Sequence, residues 1–132
     1  MNIEFTVRLP VDAHSVPFAR GLCRQALEHL SIDESVINEI ALALTEACAN
    51  VVQHSGQHGD YEVHVDIDDV RCRISVVDTG EGFDPAAVTT QPDGAEPADG
   101  RGVQLMQALV DTLRFQQDAD GHHRVTLEKR LT

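Results

Sequence analysis

Lysine is almost missing from this chain: Lys129 is the single one in 132 residues. A P-loop needs a lysine after its glycines, and a two-lobed protein kinase needs one on a strand. Both ways of gripping triphosphates are therefore excluded. Positive charge is scarce altogether, with ten Lys and Arg against 22 Asp and Glu and a formal charge of −12. Such a field repels phosphate backbones and anionic lipid, so nucleic acid and membrane surfaces are not expected as partners. No apolar run approaches the ~20 residues that cross a bilayer. The first residues lack the basic and apolar regions of a signal peptide, so a cytoplasmic location is expected. Cysteine is odd in number and widely spaced, with Cys23, Cys48 and Cys72 set in apolar stretches. That pattern fits buried thiols in a reducing compartment better than a disulfide framework.

What is present suffices for one domain with a proper core. A chain of this length typically buries ~65–70 % of its unfolded surface, and 42 % of the residues are hydrophobic. Ile3, Phe5, Val7 and Leu9 alternate with polar residues as a half-buried strand ending at Pro10. Ser15 offers an N-cap with Pro17 just inside, and Phe18, Ala19, Leu22, Cys23, Ala26, Leu27 and Leu30 recur at helical spacing. Ser31-Ile32-Asp33-Glu34 reads as a capping box for a second helix of about 20 residues stopping near Gly56. Two alternating runs, from Tyr61 and from Val70, predict a hairpin whose second strand ends at Asp78. A short helix over 103–110 and a closing hairpin around Asp120-Gly121 complete the order β-α-α-β-β-loop-α-β-β. This predicts an α/β (α+β) fold, a two-layer sandwich with a mixed, mainly antiparallel sheet and helices packed on one face.

Three segments carry polar groups that suit chemistry. Glu46, Asn50 and His54 are spaced by four and share one face of the second helix. A carboxylate and an amide one turn apart suit a magnesium–phosphate site, the amide oxygen as a hard ligand and the carboxylate as proton acceptor. A solvated helix face is the bland alternative, but Ala47, Cys48, Ala49, Val51 and Val52 crowd the strip closely. Asp78, at a strand end, is followed by Gly80 and Gly82, where the backbone can approach a flat ligand. Gly100-Arg101-Gly102 reads as a turn opening a helix, whose free N–H groups and positive dipole end attract anions. Between these glycines, residues 81–100 hold five acids (Glu81, Asp84, Asp93, Glu96, Asp99) and no base. A loop of that length is usually functional, and a lid over a ligand is the functional reading.

Together these segments resemble the Bergerat-fold ATP-binding superfamily of gyrase, histidine kinases and MutL. Glu46, Asn50 and His54 are similar to its N box, Asp78 to Pro85 to its first glycine box, and Gly100 to Gly102 to its second. In length and wording the whole chain looks like the bacterial anti-sigma-factor serine kinases of the RsbW type, notably over residues 39–54, 78–85 and 100–111. The resemblance implies one ATPase domain over 1–132 with an ATP lid at about 83–101. It implies Mg coordination by Asn50, a catalytic base at Glu46, and adenine recognition by Asp78. Gly80 and Gly82 would pass close to the base, and Gly100, Arg101, Gly102 and Val103 would hold phosphates. His54 is expected at a phosphate or the lid, and Thr126 near adenine through water. ATP and magnesium are the implied cofactors. The implied partners are an anti-sigma-factor antagonist (STAS-domain) protein, whose serine is phosphorylated, and a sigma factor; a homodimer is also expected.

Other readings fare worse. Asp-Thr-Gly opens the aspartic protease motif, but Glu81 stands where a small residue is wanted, and two long helices do not fit that fold. His54 with His58, and His122 with His123, lack the further ligands of a metal cluster. A nucleotide-dependent binding module without phosphoryl transfer is the alternative function, and Glu46 argues against it because a pure binder needs no base.

Overall fold

Alternation in the strands sorts the sheet into two faces. The computed structural model describes residues 1–54, 59–78, 97–117 and 122–132, with side chains at 54 and 97–101 excepted. Its elements are β1 Ile3–Pro10, α1 Ser15–His29, α2 Glu34–His54, β2 Asp60–Ile67, β3 Arg71–Asp78, α3 Pro97–Leu109, β4 Thr112–Gln117 and β5 His123–Arg130. The strands order as β1-β2-β3-β5-β4. All four described pairings are antiparallel, the limiting form of the mainly antiparallel sheet that the hairpin patterns predict.

Register turns this order into rows. Val7, Val63, Val76, Val125 and Phe115 lie in one row; Phe5, Val65, Ile74, Leu127 and Leu113 lie in the next. These rows face the helices and form the core with Leu27, Ile37, Ile40, Leu44, Cys48 and Val51. Side-chain period two forces the intervening residues onto the opposite, helix-free face.

Glu34 to Gln53 is long and apolar enough by composition to cross a membrane, with a mean hydropathy of 1.3 over its most apolar window. In the fold it is the central core helix instead. Ala43, Leu44, Ala47, Cys48 and Val51 are each completely buried.

Two helix starts differ from their sequence signals. His14, not Ser15, caps α1, and its N–H donates to Asp12 Oδ1 at 2.7 Å. Ser15 is buried, and its hydroxyl donates to the Asp12 carbonyl at 2.6 Å. Nor does Ser31 open α2. It adopts φ 60° and closes α1, its N–H donating to Glu28 O and that of Ile32 to Leu27 O. This is a Schellman stop filled by serine rather than glycine. Asp33 begins α2, its carbonyl accepting from the N–H groups of Val36 and Ile37 at 3.0 Å each.

Helix α3 corrects a third expectation. It begins at Pro97, six residues before the predicted start, so Gly100, Arg101 and Gly102 are helical rather than a turn that opens the helix. Proline pre-sets the helical φ at a first position, and the two glycines that follow do not break the run. The free N–H groups of this helix end therefore belong to residues before Arg101.

Candidate functional site

The site grows from the seam between α2 and α3. Glu46 is half-buried and Asn50 is only 6 % exposed, which is unusual for a polar helix residue. The reason is Gly102. A Cβ placed there would meet Glu46 Oε1 at 3.0 Å and Asn50 Oδ1 at 3.7 Å. Glycine thus lets the α3 backbone close over the two side chains, and the N-box-like and second-glycine-like segments converge. The side-chain oxygens of Glu46 and Asn50 both point to this backbone, so a carboxylate and a hard amide ligand share one small space.

Asp78 ends the central strand β3, and its side chain is fully buried. Register sets it between Tyr61 on β2 and His123 on β5, all three on the helix-facing side. Tyr61 is held by a polar chain running into the helices. Its hydroxyl lies 2.6 Å from Ser15 Oγ, whose own proton goes to the Asp12 carbonyl, so Tyr61 donates to Ser15. The Cys48 thiol lies beside the same hydroxyl. Burial pushes Cys48 up to about 12, partly offset by the neighbouring Tyr61 hydroxyl, and pushes the Tyr61 phenol up as well. Both groups are neutral at physiological pH. They fix the strand ends beneath α1 and α2 without adding charge beside Asp78.

His123 enters the sequence analysis only as half of a histidine pair too poor in ligands for a metal cluster, yet it stands beside Asp78. The signal that finds it is strand register, since only the pairing of β3 with β5 aligns it opposite Asp78. The same register moves Thr126 away. Three residues from His123, it faces the helix-free side, with its hydroxyl 3.1 Å from Ser75 Oγ. The Thr126 side chain thus lies on the face of the sheet opposite Asp78.

The remaining sequence-derived positions divide sharply. Val103 turns its side chain against the hydrophobic core, so any ligand contact there is through its backbone. His54 and Arg101 have helical backbones, but their side chains fall outside the described residues, as do Gly80 and Gly82 entirely. Residues 97–101 of the expected lid are the first residues of α3; residues 83–96 are not described. Lys129, the single lysine, is paired with Glu39 at 3.2 Å. Among the described residues no cluster of three or more His, Cys, Asp or Glu could cage a metal.

Comparison with known proteins points the same way. The family model for the histidine kinase-like ATPase domain matches residues 9–129. The serine-protein kinase RsbW of Bacillus cereus is 23 % identical over 125 residues, covering 87 % of this chain and 78 % of its own. The anti-sigma F factor of Clostridium botulinum is 24 % identical over 138 residues, covering 99 % of this chain and 94 % of its own. Among solved structures, the RsbU and RsbW domains of Rv1364c from Mycobacterium tuberculosis superpose with a TM-score of 0.73 at 24 % identity. That match covers 98 % of this chain, which spans only 32 % of that longer one. The SiaB–SiaC complex from Pseudomonas aeruginosa gives a TM-score of 0.64 at 13 % identity, covering 96 % of this chain and 89 % of that one. At these identities the structural likeness speaks for the fold.

Proposed function

Since the chain belongs to the histidine kinase-like ATPase domain family, we propose that it is an ATP-dependent protein-serine kinase acting on a regulatory partner. The partner is a STAS-type anti-sigma-factor antagonist, and the chain doubles as an anti-sigma factor that binds a sigma factor in the cytoplasm. The names of its relatives, a serine-protein kinase and an anti-sigma factor, support this choice. The observation that carries it is the packing of Gly102 against Glu46 Oε1 and Asn50 Oδ1.

Asp78 accepts the exocyclic amine of adenine, which guanine cannot offer at that position. Asn50 holds magnesium, which when bound neutralises phosphate charge and orients the triphosphate. Gly102 keeps the α3 backbone close enough to enclose both. Glu46 then takes the proton from the partner's serine hydroxyl. The serine oxygen bonds to the γ-phosphorus as the bridge to the β-phosphate breaks, releasing ADP. Phosphoryl transfer is mostly positioning and charge neutralisation, so few protein cations are needed. This also explains how a chain of formal charge −12 holds an anion: the positive character comes from metal and backbone rather than from lysine.

The test is Glu46→Gln, assayed for labelled phosphate transfer from ATP to a STAS-domain protein beside nucleotide binding. A kinase loses transfer at least a hundredfold and keeps ATP. If the variant still transfers phosphate, Glu46 is not the base. If neither protein transfers while the partner still binds in an ATP-dependent way, the chain is a nucleotide-gated binding module.

A further inference from the structure

The helix-free face of the sheet is built unlike the rest of this acidic chain. A groove of about 570 Å³ crosses β3, β5 and β4 there, lined by Arg71, Arg73, Arg114 and Arg124, with Glu128 the one carboxylate among its described lining residues. Four of the chain's ten basic residues thus meet in one place. Glu128 is shared by Arg71 at 3.3 Å and Arg73 at 2.8 Å. The Arg73 hydrogen bond, foremost, holds its carboxyl below the usual range, so it stays ionised between Arg71 and Arg73.

Register gives the arginines a spacing. Arg71 and Arg73 occupy successive outward positions of β3. The next outward row is Ser75, Thr126 and Arg114; the one after is Val77, Arg124 and Gln116. Each of four consecutive rows therefore contributes one lining arginine, two on β3, one on β4 and one on β5, stepping by about 6.8 Å along the strand direction and shifting sideways by one or two strand spacings of about 4.8 Å. An extended peptide with an acid at every second position repeats at the same interval. Guanidinium forks pair with carboxylates bidentately, and the hydroxyls of Ser75, Thr112 and Thr126 offer further hydrogen bonds beside them.

We propose that this groove docks an extended acidic segment of a protein partner, with carboxylates on alternate residues set against the arginine ladder. Nucleic acid has a similar repeat but is disfavoured twice. The net field of the chain repels it, and none of the groove's described lining residues is an aromatic on which bases could stack. The surface lies on the opposite side of the sheet from Asp78, so it does not rest on the nucleotide reading and leaves that site open to act on the docked partner.

The test uses a fluorescein-labelled twelve-residue peptide of alternating Glu and Ser, followed by anisotropy at low salt. A Lys-Ser peptide and oligothymidylate of equal length are the comparison probes. Saturable binding of the acidic peptide alone is expected. Arg114→Glu, at an exposed position, should weaken it at least tenfold and leave ATP binding unchanged. Arg8→Glu makes the same charge change on the same face outside the groove and should weaken it less than twofold; Arg71→Glu should repeat the Arg114 result. Absence of binding, equal losses in the Arg8 and Arg114 variants, or tighter binding of oligothymidylate overturns the proposal. So does sedimentation in which Arg114→Glu merely splits a dimer.

Discussion

Gly102 on α3 packs so tightly on Glu46 of α2 that a methyl group at its Cα would sit 3.0 Å from Glu46 Oε1. Helix backbone favours alanine over glycine by about 1 kcal/mol, and the crowded oxygen is the end of a flexible side chain. Gly102→Ala should therefore change stability by less than ~1 kcal/mol while displacing the carboxylate. The expected outcome is a melting temperature within a few degrees of the parent and phosphoryl transfer reduced at least tenfold. Equal activity in the variant would show that this contact does not set the position of Glu46.

The network under the strand ends makes a separate forecast. Tyr61→Phe removes the hydroxyl that donates to buried Ser15, while Ser15 keeps its bond to the Asp12 carbonyl. The loss should be about 1 kcal/mol, the usual net worth of one such bond. Denaturant titration reads it directly. A loss above ~3 kcal/mol would mean that the phenol holds more than one hydrogen bond's worth of structure.

Thr126, the expected adenine contact, lies on the sheet face opposite Asp78. Thr126→Val should leave nucleotide affinity within twofold, because its hydroxyl bonds Ser75 on the far face. His123→Ala, by contrast, alters the neighbour of Asp78 across β3 and β5 and should change ATP affinity. Calorimetric titration of the two variants separates these faces of the sheet.

The thiols predict a pH response. Cys23, Cys48 and Cys72 are all buried and free, and burial raises Cys48 from 9.0 to about 12. Below pH 9 that thiol is neutral whether folded or unfolded, so it contributes no pH dependence. Between pH 9 and about 12 the unfolded chain releases the proton and the folded one does not, so stability falls as pH rises. At pH 8 the folded protein should resist iodoacetamide and become labelled only after denaturation, as mass spectrometry would show. Rapid labelling of the native protein would place Cys48 outside the core.

Much of this molecule was legible in one dimension. Period-two runs such as Val63, Val65 and Ile67 fixed the strands and their buried side, and the spacing of Glu46 from Asn50 placed both on one helix face. The errors came where one residue type supports two local structures. Gly100 and Gly102 read as a turn because glycine usually breaks a helix, yet Pro97 starts α3 earlier and tertiary contact with α2 explains the second glycine. Ser31 read as a cap because serine seldom adopts φ 60°, the conformation that ends α1. Alternation already sets Thr126, between Val125 and Leu127, on the outward side, whereas only the register of β3 with β5 stands His123 opposite Asp78.

The account stands or falls on a nucleotide lodged between Asp78 and the α2–α3 seam. Thermal unfolding with ATP, ADP and GTP, with and without magnesium, beside Asp78→Asn, tests this most directly. A ligand at a hundred times its Kd adds ~2.7 kcal/mol, a shift easily seen in a chain of this size. The account predicts a magnesium-dependent rise with ATP, little with GTP, and loss of the adenine preference in Asp78→Asn. An equal rise with GTP, or no rise with any nucleotide, would contradict it.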